Sequence, residues 1–145
     1  APYSPLHEEH YIVAFKIFND NPIFGQGPNM FDILCLEDRY YYSVEGCTSH
    51  PHNSYIQLLA ELGIIGFLFL FLAFIVVSLI LFRHFLGIIK ITNYKLPEYM
   101  IFLLSGLFIM LWPLIPTGSF YNNWTNVMYY LPVGFVLHYF YKDKV

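Results

Sequence analysis

The stretch Leu62-Gly-Ile-Ile-Gly-Phe-Leu-Phe-Leu-Phe-Leu-Ala-Phe-Ile-Val-Val-Ser-Leu-Ile-Leu-Phe82 runs for 21 residues without a charge. A bilayer hydrocarbon core of about 30 Å needs roughly 20 apolar helical residues to cross it, so this stretch predicts a transmembrane helix. Arg83, His84, Lys90 and Lys95 follow at its far end. From Tyr99 to Tyr141 there is again no Asp, Glu, Lys or Arg, which is too long for a single crossing. Pro113, Pro116 and Gly118, with Asn122 and Asn123, mark a turn in its middle. Lipid offers no partner to a free backbone N–H or C=O, so these prolines are expected at a span end. The expected spans lie near 58–83, 98–115 and 124–141. The chain then divides into a polar section, 1–53, and a three-helix membrane region, 54–145, with a short loop and a tail.

The whole composition agrees. Hydrophobic residues make up 57% and charged residues 12%, against roughly 45–50% and about 25% in soluble domains. Aromatics reach 21%, and Tyr and Trp favour membrane–water interfaces. A net charge of −3 shows no basic footprint for nucleic acid. The sequence begins at Ala1 without Met or a basic leader, and reads as a piece of a longer protein with no signal peptide of its own. Arg83, Lys90, Lys95, Lys142 and Lys144 fall on one side of the expected spans. Basic loops stay inside, so that side, with the C-terminus, is expected to be cytoplasmic. The polar section and the 116–123 turn then face outward, into the periplasm of a Gram-negative cell.

Within the polar section, Glu8–Asn19 reads as an amphipathic helix with Tyr11, Ile12, Phe15 and Phe18 at helical spacing. Asn21-Pro22 ends it, because the residue before Pro leaves the helical region. Gly25-Gln26-Gly27-Pro28 is a turn cluster; with no strand before it and no helix after it, it is not a nucleotide loop. Tyr40, Tyr41 and Tyr42 suit sugar stacking and interfacial anchoring equally. Cys35 and Cys47 can pair in an oxidising compartment. A zinc site joining them to His50 and His52 matches no familiar ligand spacing, and the disulfide is the favoured reading. A helix is expected from Asn53 or Ser54, with Ser54 and Gln57 at capping-box spacing. Glu61 is open to two readings, a polar contact in a cavity or an interfacial residue. Gly63-x-x-Gly66 suits close packing between membrane helices.

The stretch from His50 to Gly66 carries a specific pattern. His52-Asn53 is followed by nine residues and then Gly63-Ile64-Ile65-Gly66. In this it resembles the O-antigen ligase and O-antigen polymerase family, whose motif is His, then Asn, Ser or Gln, nine residues, and Gly-x-x-Gly. Asn21-Pro-Ile-Phe-Gly-Gln-Gly-Pro-Asn-Met-Phe31 is similar to the family segment before that motif, and Pro116-Thr-Gly-Ser-Phe120 to the one before the last span. The resemblance extends from about residue 7 to residue 140. It implies an all-α, polytopic glycosyltransferase, akin to other helical-bundle membrane glycosyltransferases, in the bacterial inner membrane. The implied donor is an undecaprenyl-diphosphate-linked glycan. The implied acceptor is lipid A–core (ligase) or a second lipid-linked repeat unit (polymerase), and a relative that glycosylates proteins stays within the same class. No metal or other cofactor is implied. The family's essential loop histidine carries over to His52. Its arginines do not carry over: one falls at His7 and another at Asp32, and Arg39 is the only Arg in the polar section.

The residues make that chemistry physically reasonable. Glycosyl transfer from a diphosphate needs a base for the acceptor hydroxyl and donors for the departing diphosphate. Imidazole is largely neutral near pH 7 and can serve as the base. His52 stands just before a helix N-terminus, whose field favours anions and disfavours imidazolium. The candidate site is therefore His52 as catalytic base, with His50, Asn53, Arg39 and His7 as substrate-binding residues. Cys35, Cys47, Gly63 and Gly66 are structural, and no residue is assigned to a metal. The rival from another class is a non-catalytic membrane subunit or a transporter of lipid-linked sugars. Such a path would need polar residues inside the spans, and these spans are nearly free of charge. A zinc hydrolase is the third reading.

Overall fold

The computed structural model describes residues 5–141; Ala1, Lys142 and Lys144, used above, lie outside them. The described residues form five helices: α1 Pro5–Asp20, α2 Phe31–Leu34, α3 Ser54–Ile88, α4 Glu98–Met110 and α5 Asn123–Tyr141. The chain divides into two compact units. One runs to Phe71 and takes in Pro113–Thr125; the other comprises Leu72–Trp112 and the residues from Asn126 onward.

The core of the first unit joins α1, α2 and the start of α3. Val13, Ala14 and Ile17 from α1 are buried with Phe31, Leu34 and Cys35 from α2, Tyr40, and Ala60 from α3. This corrects the expected face of α1. His10, Val13, Ala14 and Ile17 point inward, while Ile12 and Phe15 are exposed. The inward set holds the i, i+3, i+4, i+7 spacing of a helix stripe. Two overlapping apolar stripes run along this helix, and the one with Ile12 and Phe15 stands on the outer side. The helix stops at Asn21-Pro22 as expected. Cys35 and Cys47 are disulfide-bonded, with their Cα atoms 5.2 Å apart, which removes them from any zinc site. Tyr40 is buried and donates its hydroxyl to Asp20 Oδ2 at 2.6 Å.

Helix α3 has 35 residues and is broken once, at Gly63, where φ is 65° and ψ is −160°. The break exposes backbone groups that a continuous helix would satisfy, and Pro22–Gly27 fills it. Ile64 N–H donates to the Pro22 carbonyl at 2.9 Å. Gln26 N–H and Gly27 N–H donate to the carbonyls of Ala60 and Glu61. The approach is so close that a Cβ on Gly63 would strike the Ile23 carbonyl, and one on Gly25 the backbone of Glu61. Gly63 therefore has a different use from the helix–helix seam expected: it receives a loop.

In the second unit, Phe74, Phe108 and Trp112 form an aromatic cluster with ring centroids 5.4–5.7 Å apart. His84 Nδ1 accepts the Leu96 N–H at 3.0 Å and ties the end of α3 to the approach to α4. The three expected spans fall on α3, α4 and α5, but among the described residues only α3 is long and apolar enough to cross a membrane. α4 has 13 residues, which at 1.5 Å per residue reaches only about 20 Å. α5 carries Pro132 inside it.

Candidate functional site

The first turns of α3 carry a polar seam. Asn53, Ser54, Gln57 and Glu61 are all buried. Asn53 caps the helix: its Oδ1 accepts the N–H groups of Tyr55 and Ile56 at 2.9 and 3.1 Å, and its amide donates to the Pro113 carbonyl. This replaces the capping box expected from Ser54 and Gln57. The Ser54 hydroxyl instead pairs with Thr117 Oγ1 at 2.8 Å. Gln57 accepts the Phe120 N–H at 2.8 Å and donates to Ser119 Oγ at 3.2 Å. The seam thus fastens the 113–121 loop to α3 by side chains one turn apart. With Asn53 holding two of the N-terminal N–H groups, the helix terminus offers less to an anion than the sequence suggested.

Glu61 faces the other loop. Its carboxylate is fully buried and accepts the Phe31 and Asn29 N–H groups at 2.9 and 3.1 Å, with Gln57 at 3.4 Å. Of its two sequence readings, the buried polar contact holds. Glu61 anchors the backbone that leads into α2, where Asn29 itself has a positive φ of 59°.

His52 has a φ of 54°, in the left-handed region. Such a conformation costs roughly 1–3 kcal/mol in a non-glycine residue and persists only where surroundings impose it. Here the Thr117 N–H donates to the His52 carbonyl at 2.9 Å, and the Asn53 cap fixes the next residue. The imidazole is thereby turned toward three others. Ring centroids lie 4.3 Å from His50, 5.3 Å from His10 and 5.7 Å from His7, and His7 and His10 are 6.2 Å apart. Burial pushes the pKa of His52 below its ordinary value, and His7 adds to the effect. Burial likewise lowers His50 and His10. The rings are therefore held neutral near pH 7, the form in which imidazole accepts a proton.

The structure brings His7, His50, His52 and Asn53 together and leaves Arg39 elsewhere. Arg39 donates to Glu37 Oε2 at 2.7 Å and Asp20 Oδ2 at 3.2 Å and lies over the Tyr40 ring. Sequence reasoning missed His10. His7 and His10 share one face of α1 three residues apart and His10 is on the buried stripe, but that spacing alone does not show that they meet His52. Among the described residues, no trio of His, Cys, Asp or Glu converges as a metal-ligand set.

Two cavities flank the 118–122 strand of chain. A polar one of about 430 Å³ is lined by Asn29, Asp32, Ser49, His50, Ser119 and Tyr121 among others. An apolar groove of about 400 Å³ is lined by Phe24, Leu58, Leu62, Ile65, Phe69 and Phe120 among others. Ser119 and Tyr121 line the first and Phe120 the second, on either side of a turn closed by the Asn122 N–H donating to the Ser119 carbonyl at 3.1 Å.

A long apolar helix, a loop wedged into its break and a histidine held at its mouth define an all-helical protein with a polar site at the start of its one candidate membrane span among the described residues. Residues 7–71 match the family model described as O-Antigen ligase. No curated protein and no solved structure matches the chain.

Proposed function

We propose that this chain is part of a bacterial inner-membrane glycosyltransferase that moves a glycan from undecaprenyl diphosphate to a hydroxyl acceptor, with His52 as the general base. The observation that carries this reading is the strained, neutral His52 held at the mouth of α3, inside the stretch matched to O-antigen ligases. In the proposed step His52 takes the acceptor hydroxyl proton. The acceptor oxygen forms the new bond to the anomeric carbon, and the bond from that carbon to the diphosphate oxygen breaks. Undecaprenyl diphosphate leaves with the electron pair. The polar cavity beside His50 suits the sugar and diphosphate, and the apolar groove across Phe120 suits a polyprenyl tail.

The membrane arrangement belongs to the same proposal. The section 1–53 and the 116–123 turn face the periplasm, and α3, α4 and α5 supply the three spans. The Arg83–Lys95 loop and the tail face the cytoplasm. The acceptor is lipid A–core or a second lipid-linked repeat unit, and the reaction proceeds without a metal or other cofactor.

The test reconstitutes the protein in liposomes with an undecaprenyl-diphosphate glycan, chelator and either acceptor, and compares wild type with His52→Ala. A product with one acceptor, lost in the variant, supports the transferase and assigns it as ligase or polymerase. Equal product from both proteins removes His52 as the base. No product with either acceptor, beside unimpaired binding of the lipid-linked glycan, favours the carrier or subunit reading.

A further inference from the structure

The four-histidine cluster contains a residue the base does not need. His10 is buried at 4% exposure, and its Nδ1 has no hydrogen-bond partner among the described residues. It sits behind His52 and His7, which are only half-buried and form the accessible side of the cluster. Two neighbours favour a cation at His10, the backbone carbonyl of Glu45 and the carboxylate of Glu9; burial and the two adjacent imidazoles oppose it. The other groups facing the cluster are the Thr117 backbone and Ser49 hydroxyl at His50, the Tyr11 ring stacked on His7, and Asp32 across the polar cavity from His50. On balance the pKa of His10 is pushed below its ordinary value, and an arriving negative charge opposes that push. The donor nitrogens do not converge on a point, so the cluster does not fit a bare cation, whereas separated N–H donors suit a larger oxyanion.

We infer that His7 and His52 bind a phosphate-class oxyanion and that buried His10, behind them, takes up the compensating proton. The inference deepens the transferase reading and rests on it: it makes engagement of the diphosphate proton-coupled, where an arginine would supply a fixed charge. A proton on His10, 5.3 Å from His52, also disfavours a second proton there and keeps the base neutral. His10 is a positioning residue and touches no substrate.

The test is calorimetry on the purified protein in detergent, in two buffers of different ionisation heat, between pH 6 and pH 7.5. The probes are inorganic sulfate, which does not titrate in this window, and inorganic pyrophosphate. The expected result for wild type is net uptake of about one proton and affinity that strengthens up to tenfold per unit fall in pH. His10→Gln should bind weakly with no pH dependence, and His7→Gln should lose affinity at every pH. Binding that is flat with pH, or absent at pH 6, overturns the inference, and the wild-type measurement decides this even if His10→Gln fails to fold. Transfer assays with His52→Ala run in parallel separate the two failures. Lost transfer beside flat anion binding sinks only the proton coupling, and retained transfer sinks the reading beneath it. If pyrophosphate competes with the lipid-linked donor, the site serves the donor's diphosphate. If it binds with proton uptake yet leaves transfer untouched, the ligand is free phosphate.

Discussion

His52 combines an unfavourable backbone with a desolvated ring, and both effects come from its neighbours. Replacing it with Ala removes the proposed base, while the backbone contact with Thr117 and the Asn53 cap do not involve the imidazole. Transfer is expected to fall by a factor on the order of 10²–10⁴, as for loss of a general base, with thermal unfolding close to wild type. The pH profile follows from the lowered pKa values of His10, His50 and His52, each set first by burial. The unfolded histidines titrate near 6.5, so below that pH the unfolded chain binds more protons than the folded one. Stability is therefore full above about pH 6.5 and is lost as pH falls toward the folded-state values. Unfolding midpoints measured from pH 8 to pH 5 should be flat and then decline. Transfer should decline on the same side once His52 itself protonates. His52 was legible in the sequence because a His-Asn before a helix start and a Gly-x-x-Gly nine residues on form one pattern. His10 was not, because nothing local says that residues 10 and 52 meet; that contact depends on how the loop returns to α1.

At the scale of elements, the break in α3 and the loop that fills it behave as one part. Gly63 and Gly25 both have positive φ and both face backbone, so a side chain at either is opposed by conformation and by space. Gly63→Ala is expected to expel the Pro22–Gly27 loop and leave the Ile64 N–H without its partner. Limited proteolysis should then cut within 21–30, where the wild type resists. Glu61→Ala acts on the same joint from the other side. It leaves the Asn29 and Phe31 N–H groups unmatched at roughly 1–3 kcal/mol for each buried group, and should lower the unfolding midpoint more than Glu61→Gln, which keeps one acceptor oxygen. The disulfide holds the neighbouring loop. Opening it in Cys47→Ser releases a 12-residue separation, for which loop-closure entropy gives about 3 kcal/mol; the midpoint should drop, and reductant should have no further effect on the variant. The disulfide was read correctly from the sequence, whereas Gly63 was expected to pack a helix and instead receives a loop. Periodicity shows that a helix exists, while a break in it is set by carbonyls and N–H groups from a segment some forty positions away.

For the whole molecule, length and charge pull in different directions on which segments cross the membrane. The apolar run through α3 was plain in the sequence, because a span is a one-dimensional property: enough apolar residues in a row. α4 and α5 were less so. Thirteen helical residues in α4 fall short of a bilayer, and the flanking Pro113 and Pro116 stop the helix before the length is made up. Pro132 further interrupts α5. If α3 crosses the membrane, Val44 and Ile91, which flank it and are both well exposed, lie on opposite sides. Val44→Cys and Ile91→Cys each introduce a single free thiol, because Cys35 and Cys47 are paired and no other cysteine exists. In intact spheroplasts a membrane-impermeant maleimide should label Val44→Cys and spare Ile91→Cys, and permeabilisation should reveal the second. Labelling of both before permeabilisation would remove α3 as a crossing. The reverse pattern would turn the His52 site toward the cytoplasm, away from a donor glycan displayed on the outer leaflet, and the transferase reading would fall with the topology.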